Sequence, residues 1–325
     1  MIRAPEERMF FLIGRGRSGT TLLQGILDAH PSVSVAPEAL FIMNLARGYR
    51  GGRTRGFARD VFLEERMRRW AVTREDVEQR LLALPGDASF ARRCAEVYEA
   101  QADATQKEPG RLLGDKNPHY ALFIDELLEL FPHAKFVHLV RDYRDNVLSY
   151  RNVPFDSSNI AALAYRWKHY NARVIAAAQR SPERFHRVRF EDLVDDPAAT
   201  LSAVCDFLGV EWDEQYLQSG RKHERDVPKW HRHLAKPIDA NLAGRWQNSF
   251  SANEVAVMDR ICQPLGSALG YAPASKETRL GLAARAGAAY GWSVTRLECL
   301  LFRFPLFPRA LIIKAYRRMT GNVIR

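Results

Sequence analysis

The sequence predicts an α/β protein with a P-loop-like parallel sheet that carries helices on both faces. Short apolar runs alternate with helical segments along residues 9–208, a pattern typical of parallel sheets. A glycine-rich loop joins the first run to the first helix. The chain has 325 residues, 46% hydrophobic and 26% charged, which is typical of a folded globular protein and excludes wholesale disorder, collagen and a pure coiled coil.

The N-terminal elements are predicted from their apolar spacing. Residues 9–13 form a short apolar run that ends at a glycine, so we expect a strand there. Apolar side chains three and four apart predict a helix over residues 21–27, and residues 32–35 predict a second short strand. Residues 44–106 are rich in Arg, Glu, Ala and Leu at helical spacing, which predicts an inserted helical layer over the sheet or the binding site.

Strands and helices continue to alternate in the middle of the chain. The predicted strands cover residues 111–114, 135–140 and 185–190, and the predicted helices cover residues 120–131, 161–179 and 198–208. The helix over residues 120–131 is strongly periodic, and Pro132 ends it.

Two regions are predicted: an α/β domain over residues 1–275, with the helical insertion at about 44–110, and a basic amphipathic extension over 276–325. Residues 299–325 contain six basic residues and no acidic one. Apolar residues share one helical face there: Leu311, Ile312, Ala315, Tyr316 and Met319. With Phe302, Phe304 and Phe307 as further anchors, this tail could contact an anionic membrane, its own domain or a partner subunit, and all three alternatives stay open.

Composition limits the compartment and the partners. Lys and Arg number 48 against 38 Asp and Glu, a net charge of +10 that favours nucleic acid, anionic lipid or a phosphate-bearing small molecule. The four cysteines form no CxxC pair, which argues against a zinc cluster and a disulfide framework. The apolar run at residues 9–13 is too short for a signal-peptide core or a membrane span, so we expect a cytoplasmic protein.

The segment Gly14-Arg-Gly-Arg-Ser-Gly-Thr-Thr21 lies between the first strand and the first helix. In that position its backbone N–H groups and the helix N-terminus can surround a phosphate; a tight glycine-rich turn is the alternative. Its spacing is similar to the P-loop GxxxxGK[ST], but Thr20 stands where that motif has the lysine that reaches the β- and γ-phosphates. An ordinary ATPase or GTPase is therefore disfavoured.

Together with Leu27-Asp-Ala-His-Pro31 and Glu38, the segment Arg17-Ser-Gly-Thr-Thr-Leu22 resembles the sulfotransferases that use 3′-phosphoadenosine 5′-phosphosulfate (PAPS) as sulfuryl donor. The pattern is closest to the tyrosyl-protein and carbohydrate branch of that family. The resemblance implies that the loop holds the 5′-phosphosulfate of PAPS through Arg17, Ser18, Gly19, Thr20 and Thr21. A cation there also suits the charge that develops during transfer.

Two further segments resemble the part of these sulfotransferases that binds the 3′-phosphate. In residues 136–149 the resemblance assigns this role to Arg141 and to Ser149, eight residues later. Gly244-Arg-Trp-Gln-Asn-Ser-Phe250 is similar to the family's G-x-W-x-x-x-F segment, which implies that Arg245 adds a charge there. A solvated strand end and an aromatic-anchored surface loop remain the alternative interpretations. Residues 188–193 resemble a Y-E-D-L stretch, with Phe190 in place of the tyrosine.

A base must take the proton from the incoming hydroxyl. Glu38 is the candidate, because its place after the second strand resembles that of the catalytic glutamate in the same branch. Lys116 matches a lysine that stabilises the transferring sulfuryl group. A helix cap for Glu38 and a surface position for Lys116 remain alternatives. The small-molecule branch uses a histidine as base, and His119 and His138 are the nearest ones.

The predicted function is sulfuryl transfer from PAPS to an acceptor hydroxyl or amine, with no metal. A glycan, a peptide tyrosine, a lipid and a small molecule all remain open as acceptors, and the sequence predicts no oligomeric state. A nucleotide-dependent phosphotransferase and a non-enzymatic polyanion or membrane binder are the alternative functions. The sequence contains no recognisable nucleic-acid-binding motif, so no nucleic-acid partner is expected.

Overall fold

A five-stranded parallel sheet forms the centre of the protein. The computed structural model describes residues 3–49, 55–151, 153, 156–216, 239–276 and 279–302. The strands are β1 (Met9–Gly14), β2 (Val33–Ala36), β3 (Leu112–Lys116), β4 (Lys135–Val140) and β5 (Phe185–Arg189), in the order β2-β3-β1-β4-β5. Every neighbouring pair of strands is parallel. The predicted fold class is confirmed.

The helices follow the strands in the alternation that the sequence predicts. The α-helices are α1 (Thr20–Asp28), α2 (Phe41–Tyr49), α3 (Phe57–Val61), α4 (Arg74–Leu82), α5 (Phe90–Ala104), α6 (Ile124–Leu130), α7 (Tyr143–Arg151), α8 (Ile160–Arg180), α9 (Phe190–Asp195), α10 (Pro197–Leu208), α11 (Ala252–Cys262), α12 (Leu265–Ala268) and α13 (Leu282–Leu301). Short 3₁₀ helices cover Pro5–Arg8, Glu65–Arg69, Pro118–Phe123, Pro182–Arg184, Ala240–Leu242 and Arg245–Asn248.

Each face of the sheet has its own hydrophobic core. Successive side chains of a strand point to opposite faces, so Phe11 and Ile13 of β1 pack with the insertion helices and α8. Phe10 and Leu12 pack instead with α1 and α10. All four side chains are essentially inaccessible to solvent. Helices therefore cover both faces, as an all-parallel sheet requires.

The inserted helical layer is confirmed and consists of α2 to α5. Its core contains edge-on aromatic contacts, with the ring centroids of Phe41 and Trp70 6.0 Å apart and those of Trp70 and Tyr98 5.2 Å apart. These side chains join the core on the Phe11 side of the sheet. The insertion begins with α2, shortly after the end of β2.

The helix predicted over residues 120–131 is wrong in its first half. Residues Pro118–Phe123 form a 3₁₀ helix, and the α-helix begins only at Ile124. The reason is burial: all four residues from Tyr120 to Phe123, and Ile124 after them, are buried. One face of an amphipathic α-helix cannot bury five consecutive side chains, whereas a tight turn at the sheet edge can.

Helix α13 packs on the first turns of α8 through two glycines. A Cβ at Gly291 would lie 2.7 Å from the Ala162 carbonyl oxygen, and one at Gly287 would lie 2.5 Å from Asn159 Oδ1. Phe302 packs its ring 4.9 Å from that of Phe123. The rest of the predicted amphipathic tail lies outside the described residues, and within them no helix is long and apolar enough to span a membrane.

Gly291→Ala should destabilise the protein although alanine is the better helix former. The added methyl group collides with the backbone of α8, which should lower the free energy of unfolding by about 1–3 kcal/mol in urea titrations. Gly48→Ala in α2 is the matched control, because nothing lies within 4 Å of its Cβ position and the change should be neutral or stabilising. Equal effects of the two substitutions would contradict this packing.

Candidate functional site

Glycines shape both ends of the loop between β1 and α1. Gly14 has φ 147°, and a Cβ there would lie 2.3 Å from the Leu139 carbonyl oxygen. Gly19 has φ 95°, and its Cβ would lie 2.5 Å from the ring of Phe190. Only glycine fits these two positions without a shift of the backbone. The loop therefore crosses the carboxyl end of β4 and leads into the N-terminus of α1, where unpaired N–H groups can bind an anion.

The loop and the segment after β4 are hydrogen-bonded to each other. Arg17 has φ 66°, a left-handed conformation that costs a residue with a side chain on the order of 1 kcal/mol. Its Nε donates to Ser149 Oγ at 3.0 Å, and its carbonyl oxygen accepts from Arg141 Nη1 at 3.4 Å. Asn146 Nδ2 donates to the Gly16 carbonyl oxygen at 2.9 Å and to Ser18 Oγ at 3.1 Å. The structure thus brings the two predicted donor-binding segments together.

Arg141 follows the end of β4 and is held by neutral groups. Its guanidinium lies 4.3 Å from the ring centroid of Phe190, and its Nη2 donates to the Leu242 carbonyl oxygen at 2.5 Å. Within the described ranges it forms no ion pair, and its Nε has no hydrogen-bond partner. Burial lowers the pKa of Arg141, while the nearby carboxylates of Asp145 and Glu191 act in the opposite direction. A desolvated guanidinium of this kind favours an anionic ligand.

Asp145 holds residues 244–250, the third of the predicted binding segments, against α7. The sequence did not reveal this role. Its carboxylate accepts from the Gly244 N–H at 2.7 Å and from the Trp246 N–H at 2.9 Å. The Trp246 ring in turn lies 4.0 Å from the guanidinium carbon of Arg144. These contacts place Arg245 beside Arg141. The charged run after β4 contains Asp145, but nothing in that run indicates its distant partners.

Glu38 and Lys116 meet at the ends of β2 and β3. Lys116 Nζ donates to Glu38 Oε1 at 2.5 Å and to Thr21 Oγ1 at 3.3 Å, so the ammonium group bridges the candidate base and the glycine-rich loop. Lys116 is 4% exposed, which argues against a surface lysine. Gln24 Nε2 donates to the Ala36 carbonyl oxygen at 2.9 Å and thereby holds the chain just before Glu38.

Asp115 supports this pair from inside the sheet, and the sequence analysis missed it. Its carboxylate accepts from the Tyr98 hydroxyl and from the Asn117 amide, and burial raises its pKa to about 7. Asn117 Nδ2 also donates to the Ala39 carbonyl oxygen at 2.9 Å. Through Asn117, Asp115 therefore helps to hold the chain just after Glu38. Its place next to Lys116 in the segment 114–118 was the available signal.

The two histidines considered as bases lie elsewhere. His138 is inside β4, where its Nε2 lies 2.9 Å from Asn171 Oδ1. His119 follows β3 in the 3₁₀ helix, and its Nε2 lies 4.0 Å from Glu298 Oε1. Burial lowers the pKa of each ring to about 4, so both are neutral at pH 7. Neither has a hydrogen bond to Lys116 or Glu38 among the described residues.

The arrangement can bind anionic groups and act on a group held at its centre. Cationic side chains and helix N–H groups converge at the carboxyl edge of the sheet, and a carboxylate paired with a buried ammonium stands beside them. Among the described residues, no group of three or more His, Cys, Asp or Glu is suited to hold a metal ion. Fold and site together are those of a group-transferring enzyme with an anion-binding loop.

The sequence profile described as "Sulfotransferase family" matches residues 10–214, and the chain belongs to that family. Two similar proteins are protein-tyrosine sulfotransferases. The one from Drosophila melanogaster is 27% identical over 286 residues, covering 82% of this chain and 52% of that protein. Protein-tyrosine sulfotransferase 2 of Gallus gallus is 27% identical over 289 residues, covering 85% of this chain and 72% of that protein. This chain thus spans about half the length of the Drosophila relative.

A solved structure agrees with the fold. The sulfotransferase domain of the Synechococcus PCC 7002 olefin synthase superimposes with a TM-score of 0.54 at 24% identity, covering 87% of this chain and 93% of that one. The expected family is therefore confirmed, together with its fold.

Asp145→Ala should release the segment that carries Arg245. Without the carboxylate, the N–H groups of Gly244 and Trp246 lose their acceptors, so the peptide covering residues 239–250 should exchange its amide hydrogens at least about tenfold faster. Hydrogen exchange with mass spectrometry measures this. Asp125→Ala is the control, because Asp125 forms exposed ion pairs on α6. Unchanged exchange in Asp145→Ala would contradict the proposed anchoring.

Proposed function

We propose that this protein transfers a sulfuryl group from PAPS to an acceptor hydroxyl by in-line displacement. The observation that carries the proposal is the position of Lys116, whose ammonium contacts both Glu38 and Thr21. A group held at Thr21 therefore lies beside a cation, and an acceptor that reaches this group lies beside a carboxylate. These are the two functions that sulfuryl transfer needs on its acceptor side.

On the donor side, the two phosphate-type segments suit the two ends of the nucleotide. The loop from Arg17 to Thr21 would hold the 5′-phosphosulfate through backbone N–H groups and the helix N-terminus. Arg141, Ser149 and Arg245 would hold the 3′-phosphate. The desolvated Arg141 supports this assignment, because a 3′-phosphate would place an anion in direct contact with its guanidinium.

The bonds, the proton and the leaving group of the transfer step are all accounted for without a metal or an oxidant. The acceptor oxygen forms a bond to sulfur while the bond from sulfur to the bridging phosphate oxygen breaks, and adenosine 3′,5′-bisphosphate leaves. Glu38 accepts the hydroxyl proton. The sulfuryl oxygens draw Lys116 away from Glu38, which frees the carboxylate for the proton and places the cation where negative charge develops.

A peptide tyrosine is the first acceptor to assay, because the two relatives above are named protein-tyrosine sulfotransferases. Glycan, lipid and small-molecule acceptors belong in the same screen, in which labelled sulfate from PAPS reports the product. A phosphotransferase is the competing function on this loop. Thr20 stands at the position of the P-loop lysine, which counts against it.

Arg141→Ala should weaken the binding of adenosine 3′,5′-bisphosphate. Removing the guanidinium deletes a charge-assisted contact in a partly buried site, and we expect the Kd from calorimetric titration to rise at least about tenfold. ATP with magnesium, titrated beside it, should bind weakly or not at all to the wild type. A preference of the wild type for ATP with magnesium would support a phosphotransferase instead.

Glu38→Gln should lower the turnover number by about 10²–10⁴ while leaving the Kd for adenosine 3′,5′-bisphosphate near its wild-type value. Glutamine can still accept a hydrogen bond from Lys116 but is not a base. Transfer of labelled sulfate to the best acceptor of the screen measures the rate. Glu78→Gln on the exposed face of α4 is the matched control. A Glu38→Gln enzyme with wild-type turnover would exclude Glu38 as the base.

A further inference from the structure

The other loop arginine, Arg15, is not part of the anion site. It lies between Gly14 and Gly16 and is 2% exposed, with its Nη2 2.6 Å from Asp156 Oδ2. Its guanidinium carbon lies 4.0 Å from the ring centroid of Tyr150 and 4.9 Å from that of Tyr170. Arg15 therefore anchors the backbone of the glycine-rich loop to the chain after α7 and to α8.

This anchor belongs to a buried row of alternating charges. Arg166 Nη1 lies 3.5 Å from Asp156 Oδ1, and Arg166 Nη2 donates to both carboxylate oxygens of Glu298, at 2.7 and 2.9 Å. The side chains of Arg15, Asp156, Arg166 and Glu298 are 2%, 9%, 5% and 5% exposed. Two cations and two carboxylates balance each other, which matters because an unpaired buried charge is costly.

The last carboxylate comes from a distant part of the chain. Glu298 is in α13, well beyond residues 10–214, which match the family profile. The glycine contacts described above set how α13 lies against α8, and the Tyr170 hydroxyl lies 3.4 Å from Glu298 Oε2. Helix α13 therefore supplies the last carboxylate of the buried row that supports the loop.

We propose that Glu298 is a positioning residue for donor binding, which it serves by occupying Arg166 and so reserving Asp156 for Arg15. The inference rests on the proposed function, since the loop is assigned to the 5′-phosphosulfate of PAPS. Glu298 itself touches neither donor nor acceptor in this proposal.

The effect follows from the two distances at Asp156. With Glu298 in place, Arg166 stays 3.5 Å from the carboxylate while Arg15 lies at 2.6 Å. Neutralising Glu298 leaves two buried cations facing one carboxylate, so Arg166 turns to Asp156 and competes with Arg15. The loop between Gly14 and Gly16 then loses its fixed conformation, and the N–H groups that bind the donor are no longer preorganised.

Calorimetric titration with adenosine 3′,5′-bisphosphate tests the inference. Glu298→Gln should raise the Kd about tenfold, and Arg166→Met added to that variant should bring the Kd back towards the wild-type value, because it removes the competing cation. Glu298→Asp keeps the charge and should bind more tightly than Glu298→Gln. The matched control Glu78→Gln alters only an exposed ion pair and should bind like the wild type.

Each result of these titrations either supports or overturns the inference. Wild-type affinity in Glu298→Gln together with a lowered Tm would show a purely structural role and overturn the inference, and so would a double variant that binds no better than the single one. If Glu298→Gln does not fold, a double variant that folds and binds with the wild-type Kd supports the inference, and one that does not fold or binds more weakly overturns it. Failure of the wild type to bind the bisphosphate would overturn the proposed function as well, whereas wild-type binding confines any failure to Glu298.

Discussion

The pairing of β1 with β4 is the contact on which the site depends. In this register Gly14 lies opposite Leu139, so the loop after β1 and the segment after β4 leave the sheet at the same level. On the other side of β1, Leu12 lies opposite Lys116, which brings the ammonium group within reach of the start of α1. Because the carboxyl ends of parallel strands share one edge, three segments far apart in sequence meet around one anion site.

The cations of this site differ in what holds them. Arg141 contacts a carbonyl oxygen and an aromatic ring and forms no ion pair among the described residues, so its guanidinium can still contact an anionic ligand. Arg15 instead shares a buried carboxylate and serves the backbone. The ring of Phe190 lies beside Arg141 and also against Gly19. Neither of these packing contacts needs the hydroxyl of a tyrosine. Arg141 and Arg15 thus have different tasks, set by their partners and not by their residue type.

Local patterns in the sequence predicted the strands, the inserted helical layer and the donor segments, because apolar spacing and glycine-rich turns act over a few residues. They could not predict Asp145, whose carboxylate acts on Trp246 at a separation of 101 residues. Glu298 was missed for the same reason, since it pairs with Arg166 132 residues away. The helix predicted over residues 120–131 failed because tertiary burial overrode its periodicity.

The two halves of the site are attached to the fold in different ways, which in the proposed function would separate donor from acceptor recognition. The donor half lies between β1 and α7, where hydrogen bonds and buried ion pairs fix the loop from several sides. Glu38 leads instead directly into α2, the first helix of the insertion, where Asn44 Nδ2 donates to Glu64 Oε2 at 2.6 Å. Changes in the helical layer can therefore reshape the surface that an acceptor meets while the loop, Arg141 and Ser149 keep their places. On the function proposed above, we expect the insertion to set acceptor selectivity and the sheet edge to recognise the donor.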